Sequence, residues 1–88
     1  MTLAILALSC HKAPAKEYPL RGEVVGLEAQ GQMAMIRFEK IDGWMEAMTM
    51  EFHVKNSKEF HELHAGEKIT GTVFVTEADY WISDIHPQ

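Results

Sequence analysis

Methionine sulfur is the chemistry most open to this chain. Six methionines occur in 88 residues, and five of them fall between Met33 and Met50. The run Trp44-Met45-Glu46-Ala47-Met48-Thr49-Met50 gathers three of them beside an indole. In an extended strand, residues two apart project to the same side, so Met48 and Met50 set two thioethers next to each other. A thioether is neutral and soft, and it prefers Cu(I) or Ag(I) over Zn²⁺, Mg²⁺ or Ca²⁺, which favour nitrogen or oxygen donors. It has no proton to lose, so binding through sulfur changes little with pH. It is not consumed by disulfide formation in an oxidising compartment as a thiol is, although sulfoxide formation remains its hazard. Core filling competes with metal binding here, because Met48 and Met50 share their side of the strand with Phe52 and Val54 and Met fills irregular core gaps. Trp44 and Met45 shift the balance. Large apolar residues in a loop mark a functional surface, and an indole face beside a bound cation attracts it.

The elements that must position these groups read mostly as strands. Leu20 to Leu27 is rich in Val, with Gly22 and Gly26 as the bends or bulges that close a barrel. Ala29 to Gln32 is a turn in which Gly31 supplies a positive φ. Met33 to Phe38 alternates, and Ala34, Ile36 and Phe38 form the inward set because the other set carries Arg37. Lys40 to Glu46 reads as a loop, and Met48 to Val54 as the third strand. Asn56 caps a short helix with Glu59 reaching back in a capping box, and Gly66 stops it. Ile69 to Thr76 and Tyr80 to Ile85 are the last strands, separated by a turn at Glu77-Ala78-Asp79. Five short strands with one helical turn between the third and fourth predict an all-β fold, a small OB-like Greek-key barrel.

Length allows one small domain of this kind. Apolar content of 47% and charged content of 24% are those of a globular chain. The net charge of −5 and the lack of clustered Lys and Arg argue against nucleic acid as a partner. Cys10 is the single cysteine, which excludes an internal disulfide framework and a multi-cysteine zinc site. It follows the apolar run Leu3 to Ser9, too short to span a bilayer, and the arrangement resembles a bacterial lipoprotein signal whose cysteine is acylated. An ordinary cleaved signal is the other reading. The expected organisation is therefore a signal segment over 1–10, a flexible tether over 11–17, and the barrel over 18–88.

The run Tyr18-Pro-Leu-Arg-Gly-Glu-Val-Val, the loop Ile41-Asp-Gly-Trp-Met-Glu-Ala-Met-Thr-Met and the ending Trp81-Ile-Ser-Asp-Ile resemble the CusF-type periplasmic copper-binding domain, with related versions beside or fused to Sco-type copper proteins. The resemblance spans Tyr18 to Ile85. It implies a five-stranded OB barrel that binds Cu(I) or Ag(I) through two Met and one His, with a Trp capping the metal, in copper and silver efflux. Met48 and Met50 match the two methionines. The family's His falls at Phe38, and Trp44 stands one residue farther from the Met pair than the family's capping Trp, so Met45 occupies the equivalent spacing. Three outcomes follow. Met45 completes a three-thioether site, Glu39 or solvent fills the third position, or binding is weakened or lost; the chemical match and closeness in sequence favour Met45.

Other groups carry less. His61 and His64 are three apart on the short helix, but no third ligand accompanies them, and two ligands make an incomplete site. His53 is expected to point outward, and His11 lies in the tether. Met33 and Met35 fall on the outward side of the second strand, as an accessory sulfur patch, a partner contact or ordinary strand packing. No Ser or Thr has a base arranged around it, so no enzyme is expected. The reading is a monomeric extracytoplasmic Cu(I) or Ag(I) metallochaperone or buffer with a copper/silver efflux or copper-assembly protein of the envelope as partner, touching the membrane only through a lipid on Cys10. The alternative is a metal-free OB-fold module that contacts another protein.

Overall fold

The computed structural model describes residues 15–88. The elements are β1 (Lys16–Glu28), β2 (Met33–Phe38), β3 (Met48–His53), α1 (Ser57–His61), β4 (Lys68–Val75) and β5 (Tyr80–Pro87). They form one antiparallel sheet in the order β3-β2-β1-β4-β5. The ends of that order meet through a bridge between Val54 and Ile82. The Lys55 N–H donates to the Ile82 carbonyl at 3.3 Å, and the Tyr80 hydroxyl donates to the Glu51 carbonyl at 3.3 Å. The sheet thereby curls into the expected OB-like barrel, with the short helix between the third and fourth strands.

β1 is long because it serves two partners. Lys16 to Glu23 pairs with β4, and Gly22 to Glu28 pairs with β2. Gly22 lies at the crossover, where a Cβ would come within 2.5 Å of the Arg37 carbonyl oxygen. Only glycine lets the two strands approach that closely. The register shifts between Val24 and Gly26, so Gly26 marks the bulge expected of it. The strand starts earlier than the sequence predicts: Lys16 and Glu17, assigned to the tether, pair with Val75 and Phe74. Their side chains are exposed, and backbone pairing to β4 alone recruits them.

The inward set of β2 is as expected, with Ala34, Ile36 and Phe38 buried. They meet Leu20 and Val24 of β1, Phe52 of β3, and Ile69, Val73 and Ile82 from the other wall. Gly31 carries a φ of 88°, and its neighbour Gln32 is also left-handed at 52°. At the helix the Glu59 N–H donates to Asn56 Oδ1 at 2.9 Å, as expected of the cap. The Glu59 carboxylate does not close a capping box. It accepts instead from the Asp84 N–H at 3.1 Å and the Ile85 N–H at 3.4 Å. Those donors sit where β5 bulges against β4 between Thr70 and Thr72, so one carboxylate satisfies the N–H groups that the bulge frees. Gly66 takes a φ of 92° as the chain turns toward β4.

Candidate metal centre

β2 and β3 pair so that Met48 lies directly opposite Phe38 and Met50 directly opposite Ile36. Phe38 and Ile36 belong to the buried inward set, which puts both thioethers on the barrel side of β3. Exposure falls along that side: Met48 is 47% exposed, Met50 is half-buried and Phe52 is fully buried. The chain thus places one sulfur at the lip, one in the wall and an aromatic floor beneath them. Core filling accounts for Phe52. It does not account for Met48, which faces solvent at the start of the strand.

The segment before β3 is a tight hairpin rather than an open loop. The Ile41 N–H donates to the Met45 carbonyl at 2.8 Å and the Met45 N–H returns to the Ile41 carbonyl at 3.0 Å. Gly43 supplies the left-handed turn, with φ 86°. Ile41 is buried and anchors the hairpin to the core. Trp44 and Met45 are consequently half-buried, not exposed as their loop position implies. Trp44 stacks on Tyr18 with centroids 5.9 Å apart and planes 10° apart, and it leans on Tyr80 at 5.8 Å and Phe52 at 6.5 Å. Both side chains pack against the same core as Met50. The indole is therefore fixed at the barrel end by aromatic neighbours from β1, β3 and β5, and the hairpin brings Met45 in with it.

The position assigned to imidazole by resemblance is a packed aromatic. Phe38 is 3% exposed and meets Phe52 edge-on at 5.6 Å. Glu39, the other third-ligand possibility, is exposed, and its backbone N–H is bonded to the Arg21 carbonyl at 3.0 Å. Among the described residues no group of three or more His, Cys, Asp or Glu is placed to hold a metal ion. The donors that Met45, Met48 and Met50 present are thioethers, which are soft.

The structure separates the two helix histidines. His61 ends α1, with Nδ1 2.8 Å from the Ser57 carbonyl of its own helix, while His64 lies beyond the C-cap at Glu62. They do not share a helical face. His53 faces outward with Met33 directly opposite it, a juxtaposition that strand alternation and register together reveal and that neither strand discloses alone. Cys10, His11, the signal segment and most of the tether lie outside the described residues.

A family model described as copper binding periplasmic protein CusF matches residues 17–87. Among solved structures, the chain is similar to apo-CusF from Escherichia coli, with a TM-score of 0.73, 20% identity, and coverage of 93% of this chain and 99% of that one. Escherichia coli CusF with Ag(I) gives a TM-score of 0.73 at 20% identity, covering 86% of this chain and 96% of that one. A tryptophan-to-alanine variant of Escherichia coli CusF with Cu(II) gives 0.67 at 19% identity, covering 82% and 91%. No curated protein matches the sequence. At these identities the solved structures establish the fold, and the family match places the chain.

Proposed function

This chain belongs to the family of the copper binding periplasmic protein CusF, and from that premise we propose that it holds Cu(I) or Ag(I) at the barrel end through Met48, Met50 and Met45. The ion is cargo: the protein buffers it or passes it to an efflux or copper-assembly partner in the envelope. The observation that carries the reading is the solvent-to-core gradient on the inward side of β3, where Met48 stays accessible beside half-buried Met50, with half-buried Met45 of the preceding hairpin packed against the same core. Such an arrangement suits transfer. Thioether ligands carry no charge, so they can be exchanged one at a time without uncovering a buried anion. Trp44, held by Tyr18 and Tyr80, is the capping aromatic of the proposal, offering a π face to the ion. The apolar run before Cys10 supports lipid attachment, which mass analysis of the protein isolated from membranes would detect on that cysteine.

The test uses anaerobic titration with Ag(I) or Cu(I) in a Trp81→Phe background, so that emission reports Trp44. Quenching that Met48→Ile plus Met50→Ile abolishes is the expected result, with a sulfur-only first shell in X-ray absorption, measured in a Met33→Ile plus Met35→Ile background, that loses one scatterer on Met45→Ile. Unchanged emission together with no silver retained on desalting would overturn the proposal and leave a metal-free interaction module. A nitrogen in the shell would remove Met45 as the third ligand.

A further inference from the structure

A second set of soft donors lies on the other side of the same two strands. Met33 and Met35 project outward from β2, away from Ala34, Ile36 and Phe38, so core packing does not explain them. On β3, His53 stands directly opposite Met33 and Glu51 directly opposite Met35. Met33, Met35 and His53 are each half-buried. Met33 and Met35 line a shallow groove with Glu51 and with Gly26, Leu27 and Glu28 of β1. At Gly26 a Cβ would sit 3.7 Å from the Met35 Cβ, so glycine leaves the space beside that side chain open.

The geometry points to a second site for Cu(I) or Ag(I), built from the thioethers of Met33 and Met35 and the imidazole of His53. Directly opposed residues in an antiparallel pair have Cβ atoms roughly 5 Å apart, and residues two apart on one strand are separated by about 7 Å. Methionine has three rotatable bonds, enough for two sulfurs to close on an ion that a facing ring nitrogen also reaches. Two thioethers and one imidazole form a soft, neutral set suited to a monovalent ion. Glu51 and Glu28 border the groove and lend it negative potential that favours a cation. Among the described residues the rings of His61 and His86 are engaged in hydrogen bonds, while those of His53 and His64 are not. The barrel side of the pair shows the same layout with one difference. There a Met-x-Met strand faces Phe38 across from its first sulfur, and here a Met-x-Met strand faces His53. The outer set owes nothing to the proposal for Met48 and Met50, and either can stand without the other.

The experiment counts silver. Native mass spectrometry and calorimetric titration with Ag(I) in chloride-free buffer are applied to wild type, Met48→Ile plus Met50→Ile, Met33→Ile plus Met35→Ile, and the combination of all four. The expected stoichiometries are two, one, one and none. In the variant lacking Met48 and Met50, silver is also expected to shift the His53 ring resonances in NMR spectra, and His53→Gln to remove the remaining equivalent. The same ring shift in unmodified protein serves as a check that needs no substitution in the groove. One equivalent in wild type that is lost with Met48 and Met50 but indifferent to Met33 and Met35 would overturn the outer site and leave the proposed function intact. One equivalent lost only with Met33 and Met35 would do the reverse. Unmoved His53 resonances at full silver occupancy would also overturn the outer site.

Discussion

Phe38 is the residue at which the chain departs most from a Met-Met-His ligand set. It is buried, and its ring meets Phe52 edge-on, so restoring a histidine there has two opposed effects. In the metal-free protein the smaller polar ring loses that aromatic contact and leaves ring nitrogens in an apolar wall, which costs about 1–3 kcal/mol. In the loaded protein the same ring stands opposite Met48 and adds a nitrogen donor. Phe38→His is therefore expected to lower the urea midpoint of the apo form while tightening silver binding by about tenfold, equivalent to about 1.4 kcal/mol. Competition titration and urea unfolding of apo and silver-loaded samples check both signs. An affinity unchanged by the new imidazole would mean that the ion does not sit on the barrel side of β2 and β3.

The hairpin from Ile41 to Met45 is the element on which the proposed barrel-end site depends, and Gly43 is its weak point. A Cβ there would meet the Tyr18 ring at 3.5 Å, an ordinary contact, but the φ of 86° penalises any side chain. Gly43→Ala costs about 1–2 kcal/mol, and relief of that strain loosens the grip of Trp44 on Tyr18. Asn56→Ala removes the cap of α1 and costs about 1 kcal/mol without altering the hairpin. With similar losses of stability, only Gly43→Ala should red-shift Trp44 emission and weaken silver binding; equal effects from both would tie affinity to global stability instead of the hairpin. The elements also show where sequence reading succeeds and where it stops. The inward side of β2, the turn at Gly31 and the cap at Asn56 were legible because alternation, left-handed φ and capping are local. The use of Glu59 by the β5 bulge, the stack of Trp44 on Tyr18 and the meeting of Met33 with His53 were not, since each joins segments distant in the chain whose register is set only when the barrel closes. Lys16 and Glu17 entered β1 unannounced for a related reason: backbone pairing with β4 leaves no mark on side-chain polarity.

At the scale of the whole molecule, the two proposed sites differ in how much of their binding energy reaches the fold. An ion that binds only the native state stabilises it by about 4.1 kcal/mol when present at a thousand times its Kd. In a domain of this size that corresponds to a rise in Tm of about 15 °C or more. Binding to the unfolded chain subtracts from this gain. Met45, Met48 and Met50 lie within six consecutive residues, so an unfolded chain keeps all three sulfurs close together and still chelates silver. Met33 and Met35 are tied to His53 only through the register of β2 and β3, and unfolding scatters that set. Silver should therefore raise the Tm of the Met48→Ile plus Met50→Ile variant by nearly the full amount that its measured affinity dictates. In the Met33→Ile plus Met35→Ile variant the rise should fall clearly below the value computed from affinity. Differential scanning calorimetry at several silver concentrations, set beside calorimetric affinities for the same two variants, makes the comparison. A full rise in the second variant would mean that its ligand set includes a residue remote in the chain, and Met45 would lose its place as the third donor.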